Sequence, residues 1–124
     1  MLELTVGLGN IIVLIILYTA GLFPIRWTAP EATGCNYFAD SSADVWSFGV
    51  LMYEVLTYGG LPYAEIPEDE ILAYLKNGNR LPNPCKPEWS QSGALYGVML
   101  RCWAAEPKER PTFKALKQEQ LFSN

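Results

Sequence analysis

Histidine is absent from all 124 residues of this chain, and its absence limits the chemistry that the other side chains could do. The chain lacks the commonest general base and the usual base for a serine or cysteine nucleophile. Its three cysteines, Cys35, Cys85 and Cys102, have no CxxC spacing and no histidine as co-ligand, so we expect reduced thiols and no metal site. Chemistry in this chain would have to rest on carboxylates, lysines, or a bound metal and nucleotide.

The composition is that of a globular protein rather than a disordered one. Half of the residues are apolar, and the length suits one domain with a core of its own. Nine basic and thirteen acidic residues give a net charge of −4 that is spread along the chain. This balance argues against a nucleic-acid partner.

The first part of the chain is a long apolar segment. The 22 residues between Glu3 and Arg26 carry no charge, which is enough for a helix to cross a bilayer core of about 30 Å. We predict one continuous helix over residues 4–22, a possible transmembrane helix. If it inserts, Arg26 places the C-terminal part in the cytoplasm. A signal peptide fits poorly because no basic residue precedes the run, whereas "NIIVLIIL" also fits a buried strand, so a core segment stays open.

Composition changes at Phe23, where aromatic residues, prolines and charges appear, and we place the domain boundary between residues 22 and 23. The stretch "SSADVWSFGVLMYEVLTYGG" predicts a helix that starts with Ser41 and Asp44 at capping-box spacing and stops at Gly59 and Gly60. Its apolar residues cover nearly every face. This helix is therefore predicted to be central and buried.

Three further helices are predicted after the central one, which makes residues 23–124 an all-α unit. The stretch "PEDEILAYLKNG" predicts a surface helix from Pro67 to Gly78 with one buried stripe. Apolar residues at intervals of three and four over 95–103 predict an amphipathic helix that Pro107 closes. Pro111 is predicted to open the last helix.

Five segments carry a family resemblance: "FPIRWTAPEA", "SSADVWSFGVLMYEVLTYGGLPY", "GNRLPNP", "LRCW" and "ERPTF". In order and spacing they resemble the C-terminal lobe of protein tyrosine kinases, over about residues 23–122, whereas we expect residues 1–22 to match nothing in that family. The resemblance implies a kinase-like helical lobe and ATP-dependent phosphorylation of tyrosine in proteins, with ATP and magnesium as the family's cofactors. It does not distinguish a receptor from a non-receptor kinase.

The resemblance assigns a substrate-binding role to the segment before the APE motif. In the family this segment forms a shelf for the residue that follows the acceptor tyrosine, which here implies Pro24, Ile25, Arg26 and Trp27. Pro24 would hold the backbone of the shelf, and Trp27 would supply a rigid apolar wall. Without the resemblance, the same residues would be interpreted as a turn with a buried tryptophan.

The resemblance also implies structural residues. Glu31 of the APE motif is expected to pair with Arg110, because a planar guanidinium can hold a carboxylate through two parallel hydrogen bonds. The alternative is two unrelated surface charges. Asp44, Trp46 and Gly49 of "ADVWSFG" match structural positions of the family, and the aspartate there accepts hydrogen bonds from the catalytic loop.

The residues that the family uses for phosphoryl transfer are not found in these 124 residues. The first lysine is Lys76, no aspartate precedes Asp40, and an HRD motif needs a histidine. We therefore expect no catalytic residue, no bound ATP or magnesium, and no kinase activity from this chain by itself.

Two functions follow from these observations. The leading interpretation is a truncated tyrosine kinase lobe, inactive alone, that binds a protein or tyrosine peptide weakly at best. The alternative is a non-catalytic interaction module tethered to a membrane by residues 4–22. The expected location is the cytoplasm, or a membrane with the C-terminal part in the cytoplasm.

Overall fold

A computed structural model describes residues 24–33, 40–89 and 92–119 of the chain. Within these ranges there is no β-strand, and the predicted all-α class is confirmed for them. The described residues form single 3₁₀ turns at Ile25–Trp27, Pro30–Ala32, Glu68–Glu70 and Pro107–Glu109, and four α-helices: α1 (Ser41–Leu56), α2 (Ile71–Lys76), α3 (Ser92–Cys102) and α4 (Phe113–Gln118).

The predicted apolar helix at residues 4–22 lies outside the described residues, as does its strand alternative. Among the helices of the described ranges, none combines the length and the apolarity that a membrane crossing needs.

Helix α1 begins one residue earlier than the capping-box pattern indicated. Its N-cap is Asp40, whose extended backbone lets the carboxylate accept hydrogen bonds from the backbone N–H groups of Ser42 and Ala43, at 3.0 and 3.2 Å. Ser41 is the first helical residue instead of the cap. A carboxylate in this position also interacts favourably with the positive end of the helix dipole, whereas an uncharged serine hydroxyl gains no such charge interaction.

The core of the described residues lies between α1 and α3. On α1 the side chains of Val45, Trp46, Val50 and Met52 are buried, and on α3 the buried side chains are Leu95, Val98, Met99 and Cys102. The opposite side of α1 is half-buried, and Val55 is exposed. The central position of α1 is as predicted, but its burial is confined to part of its circumference.

Gly49 allows α1 and α3 to approach closely. A Cβ atom at this position would lie 2.6 Å from Nε1 of Trp103 and 2.9 Å from Cβ of Cys102, well inside van der Waals contact. Because both neighbours are fully buried, neither can move away without disturbing the core. The glycine predicted as structural is therefore required by packing, in the middle of a helix where glycine is otherwise unfavourable.

The later helices have different ends from those that the sequence pattern indicated. Pro67 precedes a 3₁₀ turn, and α2 itself starts only at Ile71, with Ile71 and Leu75 forming its buried stripe. Helix α3 ends at Cys102, ahead of Pro107, which instead starts a separate 3₁₀ turn. Pro67 is the N-cap of its turn and Pro107 the first residue of its turn, positions where a proline leaves no intrahelical hydrogen bond unmade.

Helix α4 is held against α1 through an aromatic contact. Thr112, one residue after Pro111, caps the helix by accepting a hydrogen bond from the backbone N–H of Ala115 at 3.1 Å. The rings of Phe113 and Phe48 meet edge to face with their centroids 5.8 Å apart. Leu116 is the buried residue of this short helix.

We predict that Gly49→Ala lowers the free energy of unfolding by about 1–3 kcal/mol, because the added methyl group overlaps Trp103 and Cys102. The matched control is Gly97→Ala on α3, where the added Cβ would meet no atom within 4 Å beyond its own helical turn. That variant should be neutral or stabilised by up to about 1 kcal/mol. Urea unfolding of both variants measures the difference, and equal effects would contradict the packing argument.

Candidate functional site

The predicted shelf forms one turn ahead of the APE motif. The N–H of Trp27 donates to the carbonyl of Pro24 at 3.1 Å, and the hydroxyl of Thr28 donates to the same carbonyl at 2.6 Å. Thr28 is buried beneath the turn, whereas all four shelf residues, Pro24 to Trp27, are partly exposed. Within the described residues the segment is therefore backed by the buried Thr28 and stays partly accessible.

Two residues of α1 hold Trp27 in place. The indole Nε1 of Trp27 donates to Oε1 of Glu54 at 3.1 Å, and the hydroxyl of Ser47 donates to the Trp27 carbonyl at 2.7 Å. Glu54 is only 2% exposed, so its carboxylate is a buried acceptor directed at the shelf. Neither residue was predicted from the sequence. The available signal was a single glutamate within the apolar run of α1.

Arg26 fixes the shelf to the loop that follows α1. Its Nη1 donates to the carbonyls of Pro62 and Tyr63 at 3.0 and 2.7 Å, and its Nη2 donates to the carbonyl of Ile66 at 3.2 Å. The guanidinium is therefore directed at backbone oxygens of the protein itself. Its position suits a residue that orients the shelf, and the predicted part in peptide binding would be indirect.

Glu31 and Arg110 form a bidentate ion pair, as the family resemblance implied. Nη1 of Arg110 lies 2.7 Å from Oε2 of Glu31, and Nη2 lies 2.9 Å from Oε1. The guanidinium also donates to the carbonyls of Ser42 and Ala104, at 3.1 and 2.9 Å. The Arg110 side chain is completely buried, and the Glu31 side chain is 34% exposed. The alternative of two unrelated surface charges is wrong.

The pKa of Glu31 reflects a competition between burial of its carboxyl and its interactions with Arg110. Partial burial raises the pKa of the carboxyl, but the hydrogen bonds from Arg110, the local backbone N–H and the charge of Arg110 together outweigh it. The net result is a pKa below the ordinary value of 4.5. The ionised form of Glu31 is thus favoured in the folded chain.

Trp46 lies next to two guanidinium groups. The Cζ atoms of Arg110 and Arg80 are 5.0 and 5.1 Å from the centre of the Trp46 ring, within the range of cation–π contacts. The ring is fully buried, and its Nε1 has no hydrogen-bond partner among the described residues. The predicted structural role of Trp46 thus includes a contact with the arginine that binds Glu31.

Asp44 lies in the first turn of α1 and is half-buried. It is near the N-cap but is not the cap itself. Its expected contact with the catalytic loop of the family stays a prediction, because that contact involves no part of the described residues.

No group of three or more metal-ligating side chains occurs in the part of the chain that the structure describes. Cys85 and Cys102 are free and buried, and burial raises the pKa of the Cys102 thiol to about 11, which keeps it protonated at neutral pH. Cys35 lies outside the described residues. The expectation that this chain binds neither ATP nor magnesium stays a prediction.

Comparison with known proteins identifies the family to which this chain belongs. The family model described as protein tyrosine and serine/threonine kinase matches residues 16–120, so the chain belongs to this family. The match begins seven residues before Phe23, so it includes the end of the apolar segment that we expected to lie outside the family.

The chain is similar to tyrosine-protein kinases in particular. It is 47% identical to tyrosine-protein kinase FRK of Homo sapiens over 96 residues, which is 76% of this chain and 18% of that protein. Identity is 40% to tyrosine-protein kinase SPK-1 of Girardia tigrina, covering 78% of this chain and 20% of that protein. Identity is 45% to tyrosine-protein kinase Srms of Mus musculus, covering 77% of this chain and 18% of that protein. The chain therefore spans about a fifth of the length of these curated relatives.

We predict that Arg110→Met lowers the free energy of unfolding by about 2–4 kcal/mol, because Glu31 and two backbone carbonyls lose their buried donor. Arg101→Met is the matched control, since Nη2 of Arg101 donates to both carboxylate oxygens of Glu119, but with 53% of the Arg101 side chain exposed. It should cost no more than about 1 kcal/mol. Urea unfolding that gives equal losses would contradict a special role for Arg110.

The pKa of Glu31 also predicts a pH dependence. A carboxyl whose pKa is lowered on folding stabilises the chain above its unfolded pKa, and this contribution is lost as pH falls through the folded pKa. The stability difference between the wild-type chain and Glu31→Gln should be constant above about pH 5 and shrink below the ordinary value of 4.5. A stability difference that grows as the pH falls would show that folding does not lower the pKa of Glu31.

Proposed function

We propose that this chain is the peptide-binding half of the C-terminal lobe of a tyrosine kinase domain, and that Pro24 to Trp27 form the shelf for the residue after the acceptor tyrosine. The observation that carries the proposal is the way the shelf is held. Glu54 and Ser47 bind Trp27 from below, and Arg26 binds the loop at 62–66 from the side.

The open side of the shelf suits an extended peptide. Pro24 has φ −67° and ψ 137°, and the partly exposed indole of Trp27 offers a flat apolar surface whose polar N–H is already occupied by Glu54. A ring held in this way loses little conformational entropy when a peptide side chain packs on it. The shelf would therefore contribute apolar contact to a peptide and no charge of its own.

The chemistry of phosphoryl transfer is not supplied by these 124 residues in our proposal. The positioning of phosphates and the stabilisation of charge provide nearly all catalysis in this reaction. The chain has no histidine, and its first lysine, Lys76, is an exposed residue at the end of α2. The alternative of a membrane-tethered module rests on residues 4–22, and no observation in the described ranges favours it.

One experiment with two arms tests the proposal. In the first arm the chain is incubated with labelled ATP, magnesium and poly-Glu-Tyr, and we expect no transfer above buffer. Transfer that disappears in Asp44→Asn would contradict the proposal, because it would place the chemistry within this chain.

The second arm measures binding of a tyrosine peptide with an apolar residue after the tyrosine, by NMR titration. We expect weak, saturable binding that Trp27→Ala abolishes. Trp89→Ala is the matched control, a partly buried tryptophan remote in sequence from the shelf, and should leave peptide binding unchanged. Equal binding by both variants would exclude Pro24 to Trp27 as the peptide site.

A further inference from the structure

One face of α1 carries an apolar stripe, formed by Phe48, Leu51 and Val55. These residues follow one another at intervals of three and four, so they lie on the same face of the helix. Phe48 and Leu51 are half-buried, and Val55 is 37% exposed. Phe48 packs against Phe113 and the core of the described residues, whereas Leu51 and Val55 belong to no part of that core. We call these three residues the open stripe.

The open stripe faces away from α3. Gly49, the residue of α1 that lies closest to Cys102 and Trp103, is separated from Leu51 by about 200° around the helix axis. Helix α3 therefore packs on the other side of α1. The stripe leaves apolar surface in water on the helix that forms the centre of the described core, and covering that surface is favourable.

The shelf runs along one edge of the open stripe. Trp27 accepts a hydrogen bond from the Ser47 hydroxyl through its carbonyl and donates one to Glu54 through its indole. Ser47 directly precedes Phe48 on α1, and Glu54 directly precedes Val55. The shelf is thus attached beside the stripe over two helical turns, and the chain that leads into Pro24 arrives at the edge of the stripe.

The segment that precedes the shelf has the composition that such a face requires. Residues 4–22 end two positions before Pro24 and carry no charge, and eleven of the nineteen are leucine, isoleucine or valine. At a helical rise of about 1.5 Å per residue, nineteen residues measure about 28 Å, whereas Phe48 and Val55 are about 10 Å apart along α1. The segment is therefore long enough to cover the stripe even in that compact conformation.

We propose that residues 4–22 pack against the open stripe of the same chain. Attachment through the shelf gives the segment an effective concentration of about a millimolar at the stripe, which favours it over a second copy of the chain at ordinary concentrations. A membrane would take up the segment but leave Leu51 and Val55 uncovered, whereas docking removes both apolar surfaces from water. The docking does not depend on peptide binding by the shelf.

Photo-crosslinking in the full chain tests the docking. The crosslinker p-benzoyl-phenylalanine replaces Val55 in one variant and Leu100 in the matched control, because Leu100 is a similarly exposed apolar residue, at 41%, on α3. Unlabelled and isotope-labelled chains are mixed, so that mass spectrometry separates links within a chain from links between chains. We expect links from position 55 to residues 4–22 of the same chain, at a yield at least about tenfold above that from position 100.

Three results would overturn the proposal. Links from position 55 to another chain would make a second copy the occupant, equal yields from positions 55 and 100 would show that the segment adheres without preference, and no link to residues 4–22 would leave the stripe uncovered. The irradiation is repeated with phosphatidylcholine vesicles, where we expect the link within the chain to persist. Its loss, together with movement of the chain into the vesicle fraction, would assign the segment to a membrane and also refute the docking.

Charges placed in the segment provide an independent test. Val13→Asp combined with Leu14→Asp puts carboxylates on two different sides of the segment, because adjacent residues point in different directions in a helix and in a strand. We expect the link from position 55 to fall by about tenfold or more, since an unpaired carboxylate is costly to bury. Val13→Ala combined with Leu14→Ala shortens the same side chains without adding charge and should keep most of the link. Near-UV circular dichroism checks that each variant is folded, and an undiminished link in the folded aspartate variant would contradict apolar docking.

Discussion

The arginine at position 110 is the constraint on which the arrangement of the described residues depends. Its guanidinium joins the APE segment, the start of α1 and the end of the α3 region, through Glu31, the Ser42 carbonyl and the Ala104 carbonyl. The most distant of these partners, Glu31, lies 79 residues from Arg110 in the chain. A buried guanidinium must have its donors satisfied, so its three segments are fixed relative to one another. The shelf ends four residues before Glu31, and it is held separately by Glu54, Ser47 and Arg26.

Buried and partly buried polar side chains of the described residues hold turns and loops to the helices. Arg26 binds carbonyls of the loop after α1, Arg80 binds carbonyls around α2 and at Trp103, and Glu54 binds the indole of the shelf. The apolar core between α1 and α3 supplies a rigid base, because Gly49 lets the two helices meet closely. The packed helices provide the base, and the hydrogen bonds of the charged side chains hold the turns and loops against it.

Much of the fold was accessible from the sequence, because apolar periodicity and motif order are local or family signals. The central helix, the buried stripe of α2 and the Glu31–Arg110 pair were all predicted in this way. The ends of the helices were not predicted correctly. Asp40 rather than Ser41 has the extended backbone of an N-cap, and Pro67 is followed by a 3₁₀ turn instead of the first turn of an α-helix. The partners of Trp27 and Arg26 were missed because they join residues distant in sequence through carbonyl groups that every residue carries.

A double-mutant cycle between Glu31 and Arg110 tests the central claim most directly. The free energy of unfolding is measured for the wild-type chain, Glu31→Gln, Arg110→Met and the double variant, all at pH 7. Our account predicts a coupling energy of about 1.5–3 kcal/mol, as expected for a charge-assisted, partly buried pair. Additive effects, with a coupling energy within about 0.3 kcal/mol of zero, would show that the pair does not hold the APE segment to the helices.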